Sequence, residues 1–145
     1  MVFSAEAVIH VEKNKREKEY EEIRKSTRSP FKGMEMWVIF LNAMIMGYRK
    51  KICTPLNGTR HDLFRASTLG SEGEWLIKSI AIVEKEDLNI LLDEKEILKI
   101  AEEYANGGIL LLYDKIFGGA PGDPLKRMDA EARKIYAKLT GEGLP

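Results

Sequence analysis

Hydrophobic and polar positions in this chain repeat first with a period of two and then with a period near 3.6. Between Ala7 and Glu12 (AVIHVE), Ala7, Ile9 and Val11 alternate with Val8, His10 and Glu12, the pattern of a short strand with one covered face. Asn14 followed by Glu17 has the form of a capping box, and the charged run to Lys25 predicts a helix that turns Tyr20 and Ile23 inward. Ser26 to Pro30 breaks that helix. Ser29 as cap and Pro30 at the first helical position predict a second one over roughly Lys32 to Tyr48. Here Met34, Trp37, Val38, Leu41, Met44, Ile45 and Tyr48 form one stripe, while Met36, Ile39, Phe40 and Met46 add apolar surface on other sides. A helix of this kind is either central to its own core or shared with a second copy.

From Arg49 to Leu69 the chain reads as irregular or weakly extended, with turns at Thr54-Pro55 and Asn57-Gly58 and room for a poor hairpin. Ser71 with Glu74 has capping-box form and opens a helix to about Glu86, with Trp75, Leu76, Ser79, Ile80 and Val83 on one face. Asp93 with Glu96 opens another, carrying Ile97, Leu98, Ala101, Tyr104 and Ala105, and Asn106-Gly107 predicts its left-handed end. Ile109 to Phe117 follows as a short apolar helix, then the linker-like GGAPGDP (Gly118–Pro124) and a final helix from Leu125 to Leu139. The expected fold is mainly α with a short N-terminal strand. Its organisation is one helical domain over 1–117 with a strand-helix-helix start, a loop at 118–124 and a C-terminal helix within 125–145.

A chain of 145 residues is of a size to form one core without staples. Its one cysteine, Cys53, excludes an internal disulfide and a CxxC zinc site. The apolar start, Met1 to Phe3, is too short for a signal peptide, and Met34 to Met46, interrupted by Glu35 and Asn42, falls short of the about 20 residues that span a bilayer. A cytoplasmic protein is expected. Net charge is zero, from 23 basic and 23 acidic residues, but the distribution is uneven. Between Ile23 and His61, Arg24, Lys25, Arg28, Lys32, Arg49, Lys50, Lys51 and Arg60 stand against Glu35 alone. That segment carries +7 and the remainder −7, an asymmetry that suits an anionic partner near one face.

Catalytic constellations do not assemble. His10 and His61 fall in a strand and a loop, without the spacing of a metal pair. Cys53 and His61 lack a third residue to orient a base. Gly107-Gly108 and Gly118-Gly119 fit neither phosphate-binding pattern, and Glu102-Glu103, on consecutive helical positions, point apart as on a solvated face. No catalytic residue, metal or cofactor is expected.

The order strand, charged helix, apolar helix over Ala7 to Tyr48 is that of a ribbon-helix-helix module. There two chains pair their strands into a ribbon that enters the major groove, and the second helices form a shared core. On that plan the chain is a homodimer, and backbone N–H groups near Ser29 to Gly33 hold a phosphate flanked by Arg28 and Lys32. Val8, His10 and Glu12 are poor base readers, however. The alternative is that the strand joins part of 52–66 in a small sheet of its own chain. Four stretches carry a resemblance: SPFKGMEMWVIFLNAMIMGYRKK (Ser29–Lys51), the apolar helix around Trp75–Val83, the acidic–aliphatic Asp87–Asp93, and IAEEYANGGI (Ile100–Ile109). Together they resemble the small proteins associated with Dnd systems, which install and police phosphorothioate linkages in prokaryotic DNA. The resemblance spans roughly Lys18 to Phe117 and implies membership in a DNA modification or restriction cluster, with other Dnd proteins as partners. The expected function is a non-enzymatic DNA-associated accessory protein, its eight basic residues contacting phosphates. The alternative is an interaction adaptor in the same defence machinery without direct DNA binding.

Overall fold

The computed structural model describes residues 3–118 and 124–140, with side chains in the second stretch from 128 to 138. Among the described residues there are five helices and one two-stranded sheet. The first strand, β1 (Val8–Glu12), has the expected alternation, with Ile9 and Val11 buried. It pairs antiparallel with β2 (Arg60–Arg65), Val8 opposite Arg65 and Glu12 opposite Arg60, with an irregularity between Ile9 and His10 that leaves Leu63 without an opposite number. The strand therefore finds its partner within its own chain, in the 52–66 region. Its order with the next two helices matches a ribbon-helix-helix module, but its pairing does not use a second chain's strand.

Lys13–Lys15, a π-helical turn Arg16–Tyr20 and Glu21–Lys25 run on as one helix, α1, which buries Tyr20 and Ile23. Asn14 does not cap it; Glu12 precedes the first turn without a side-chain hydrogen bond to that turn's amides. The second helix, α2 (Met36–Lys50), begins six residues after Pro30 and four after the expected start near Lys32. The Ser29 hydroxyl instead accepts from the Phe31 N–H at 3.1 Å and closes a turn that buries Phe31. At its far end α2 stops at Lys51, held in the left-handed conformation at φ 57°.

The third helix, α3 (Gly70–Lys85), starts at the expected place, but Glu74 does not reach back to Ser71; it is buried and accepts from Lys78 Nζ at 2.5 Å. A short 3₁₀ turn, Leu88–Leu92, leads to α4 (Glu94–Phe117), where Asp93 caps as expected by accepting from the Glu96 N–H. The expected stop at Asn106-Gly107 is wrong: α4 runs straight through it for 24 residues. The glycines are there for close packing. A Cβ at Gly108 would lie 1.7 Å from the Ala43 carbonyl oxygen, and one at Gly47 would lie 2.1 Å from that of Tyr104. Thus α2 and α4 meet backbone to backbone, and tertiary contact overrides a local end signal.

The same contact explains why α2 is apolar on several sides. Ile39, Phe40, Ala43 and Met44 are fully buried, and Met36, Trp37, Val38, Met46 and Tyr48 pack partly buried against the same core. The surface that suggests a homodimer is covered within the chain. The last helix, α5 (Pro124–Thr140), lies against α4 through an ion pair from Lys115 to Glu131 at 2.5 Å and through Met128. Most of the glycine-rich 118–124 stretch lies outside the described residues, as do 141–145.

Candidate functional site

All eight basic residues of the 23–61 segment are exposed. Arg24 and Lys25 occupy the last turn of α1, Arg28 and Lys32 the turns that follow, Arg49 and Lys50 the last turn of α2, Lys51 its left-handed cap, and Arg60 the start of β2. The Gly33 N–H donates to the Arg24 carbonyl at 2.9 Å, so the first four residues share one end of α2. Arg49, Lys50 and Lys51 gather at the other end, about 22 Å away along a 15-residue helix. Arg60 stands apart from both, opposite Glu12. The structure thus forms two clusters and an outlier rather than one patch. Of the eight, only Lys25 makes an ion pair with a described residue, to Glu21 at 2.7 Å.

The expected phosphate cradle at 29–33 is not formed. Ser29 donates to the Ser26 carbonyl, Phe31 to the Ser29 hydroxyl, Lys32 to the Ser29 carbonyl and Gly33 to the Arg24 carbonyl, while Pro30 has no N–H. Because the helix starts at Met36, these amides are consumed in turns and do not point outward as a helix end would. Any anion at this end has to be held by the side chains of Arg28 and Lys32.

A second constellation was hidden from sequence reasoning. Glu102 and Asn106, one turn apart on α4, face β1. Glu102 is buried, not solvated. One of its oxygens accepts from the His10 backbone N–H at 2.6 Å and lies 3.1 Å from His10 Nδ1; Nε2 of the same ring lies 3.2 Å from Asp62. Burial pushes the Glu102 carboxyl above its ordinary range, against the opposing pull of His10. Four residues on, Asn106 Nδ2 donates to Glu12 at 2.7 Å and reaches the carbonyls of Thr54 and Pro55, while its own oxygen accepts from Lys15 Nζ at 2.9 Å. Burial alone would raise Glu12, but the Asn57 N–H, Asn106 and Lys15 together hold it below the usual carboxylate range.

His10 and Glu12, expected as part of an outward, groove-facing row, therefore turn into the protein. They clamp β1 and the 51–59 loop onto α4. The clamp positions the basic residues that flank this loop: Ile52 N–H returns to the Gly47 carbonyl and Thr54 N–H to that of Glu103. In sequence, the i, i+2 pair on the strand and the i, i+4 pair on the helix were the only trace of it, and nothing local links the two.

Cys53 is exposed, 3.8 Å from a Glu103 oxygen. Partial desolvation and the carboxylates of Glu103 and Glu84 push its thiol up to about 11, which keeps it protonated and unreactive at neutral pH. His61 lies on β2 opposite Val11, and no contact joins it to Cys53 among the described residues. No group of three or more His, Cys, Asp or Glu side chains among the described residues is arranged to hold a metal ion. No described helix is long and apolar enough to cross a membrane.

Comparison with curated proteins and with solved structures gives no match. Residues 9–128, which include the clamp, both basic clusters and the glycine contact between α2 and α4, match the family described as DNA sulphur modification system-associated protein 4. With the match covering most of its length, the chain belongs to that family of Dnd-associated proteins.

Proposed function

We propose that this protein is a non-enzymatic, cytoplasmic accessory factor of a DNA phosphorothioate modification or restriction system, and that it binds DNA through its exposed basic residues. The observation that carries this reading is charge left unpaired. Arg24, Arg28, Lys32, Arg49, Lys50, Lys51 and Arg60 are exposed and make no ion pair with a described residue. Elsewhere Lys13, Lys15, Arg16, Lys78, Lys85 and Lys115 are paired and Lys18, Arg65, Lys95 and Lys99 are not, so what sets the segment apart is its gathering of such groups at the two ends of α2. With one phosphate of each strand per about 3.4 Å of helix axis, a duplex would present phosphates to both clusters, about 22 Å apart, within about six to seven nucleotides. Such contacts give affinity and position with little sequence preference, consistent with the absence of base-reading side chains on β1.

A second reading, an adaptor in the same machinery without direct DNA contact, draws on the exposed apolar side chains of Trp75, Val83, Leu88 and Leu92. Titration with short duplexes at low salt separates the two. The first reading expects binding on every sequence tried, weakened by charge reversal at Arg49, Lys50 and Lys51 and again at Arg24, Arg28 and Lys32. The adaptor reading expects no measurable binding, and co-purification with a larger protein instead.

A further inference from the structure

The two most exposed large apolar side chains among the described residues are neighbours: Leu92 at 81% and Leu88 at 69%. They belong to a 3₁₀ turn that is firmly anchored. Ile90 is buried beneath it, the Asp87 carboxylate accepts from the Asn89 N–H at 2.9 Å, and the Asp93 N–H donates to the Ile90 carbonyl at 2.9 Å. The turn therefore displays its leucines from a fixed backbone, which lowers the ordering cost of binding through them. Val83, at the end of α3, is also mostly exposed.

The surroundings are acidic. Residues 84–96 contain Glu84, Glu86, Asp87, Asp93, Glu94 and Glu96 against Lys85 and Lys95, a net charge of −4. Lys85 is already engaged with Glu96 at 3.3 Å. Exposed leucines inside a predominantly acidic rim mark an interaction surface. The rim decides the partner: DNA is repelled, and an apolar segment studded with lysine or arginine is attracted.

We propose that the Leu88–Leu92 turn and its acidic rim form a docking surface for a basic, leucine-bearing segment of another protein. This inference rests on the accessory role and not on DNA binding. A second copy offers Ile52 beside Lys50 and Lys51, a single apolar side chain rather than a leucine-bearing basic stretch.

The test uses the full chain and a synthetic 15-residue peptide with leucines on one helical face and lysines elsewhere. Controls have serine for leucine or glutamate for lysine. Affinity is read by fluorescence anisotropy and position by amide chemical shifts. The expected result is binding of the leucine–lysine peptide alone, with shifts centred on residues 83–96. Burial of a leucine side chain is a tenfold effect or more, so Leu88→Ser with Leu92→Ser should weaken binding at least about tenfold. Glu86→Gln with Asp87→Asn should flatten its salt dependence, since asparagine keeps the cap while removing the charge. Duplex DNA affinity of the leucine variant should be unchanged. Shifts mapping elsewhere, unaltered affinity in the leucine variant, or no peptide binding would overturn the proposal. Self-association of the chain that the leucine variant abolishes would also overturn it, by assigning the surface to a second copy. Loss of the DNA reading with these peptide results intact would leave the docking surface standing.

Discussion

At Asn106 a single amide ties together β1, α1, α4 and the 51–59 loop. Its Nδ2 serves Glu12 and two loop carbonyls, and its Oδ1 takes Lys15. Replacing it with alanine removes one donor from the buried Glu12 carboxylate, one acceptor from the mostly buried Lys15 and the donor to the Thr54 and Pro55 carbonyls, while the Asn57 N–H and Lys15 stay with Glu12. Leaving buried polar groups unsatisfied costs about 1–3 kcal/mol each. Asn106→Ala should therefore lower unfolding free energy by about 3 kcal/mol, measured by urea denaturation; a drop below about 1 kcal/mol would mean the clamp is not as described. Glu21 makes a smaller, pH-dependent contribution. Hydrogen bonds from Lys25 and then Arg16 pull its carboxyl down to about 2 from 4.5. A depressed carboxyl stabilises the fold above its unfolded value and loses that contribution as pH falls toward the folded one. The stability gap between wild type and Glu21→Gln, on the order of 1 kcal/mol or less because the pair is near the surface, should be present at pH 6 and close between pH 4.5 and about 2. Cys53, with its thiol at about 11, should alkylate at pH 8 far more slowly than a free thiol. Cys53→Ser should keep whatever binding the wild type shows; rapid alkylation, or loss of binding in a folded Cys53→Ser protein, would reopen a catalytic role.

Among the elements, the contact between α2 and α4 determines the rest. Gly108→Ala would gain about 1 kcal/mol of helix propensity. It would also put a methyl group 1.7 Å from the Ala43 carbonyl oxygen, so one helix must move. Net destabilisation of about 3 kcal/mol or more is expected in thermal or urea melts; a neutral variant would show that the helices do not approach so closely. This contact was readable only in part. The stripe of α4 and the Asp93 cap are plain in the sequence because apolar spacing and capping act within a few residues. The expected face of α3 is misplaced: Trp75, Ser79 and Val83 are exposed while Ile77, Ile80 and Ala81 meet the core. The core face of α2 centres on Ile39, Phe40 and Ala43 rather than on Met34, Trp37 and Val38. Asn106-Gly107-Gly108 misled because the local rule for a helix end and the long-range rule for close packing use the same residue type. Ser29-Pro30 misled likewise: a serine hydroxyl closes a turn as readily as it caps a helix. His10, Glu12 and Glu102 escaped notice because their partners lie some 90 residues away in the chain.

For the whole molecule, burial of α2 under α4 removes the reason to require a second copy, since Phe40, Met36 and Trp37 already pack within the chain. What remains on the surface is exposed basic groups at both ends of α2 and, at 83–96, bare leucines among mostly acidic residues, with Arg49 and Val83 lining one groove. The proposed DNA contact draws on the basic ends of α2, and the proposed protein contact on the leucine turn. The family is described by its association with a DNA sulphur modification system, which supports an accessory role there.

The most direct measurement is the affinity of the full chain for a short duplex as a function of salt. Counterion release makes log K fall linearly with log salt, by about 0.9 for each phosphate neutralised. Wild type should bind at low salt, and the triple reversal Arg49→Glu, Lys50→Glu, Lys51→Glu should flatten that slope by roughly 0.9 for every phosphate it leaves without a cation, with unfolding free energy nearly unchanged. A wild-type chain that binds no duplex at low salt, or a triple variant whose slope equals that of the wild type, would contradict DNA binding through these residues.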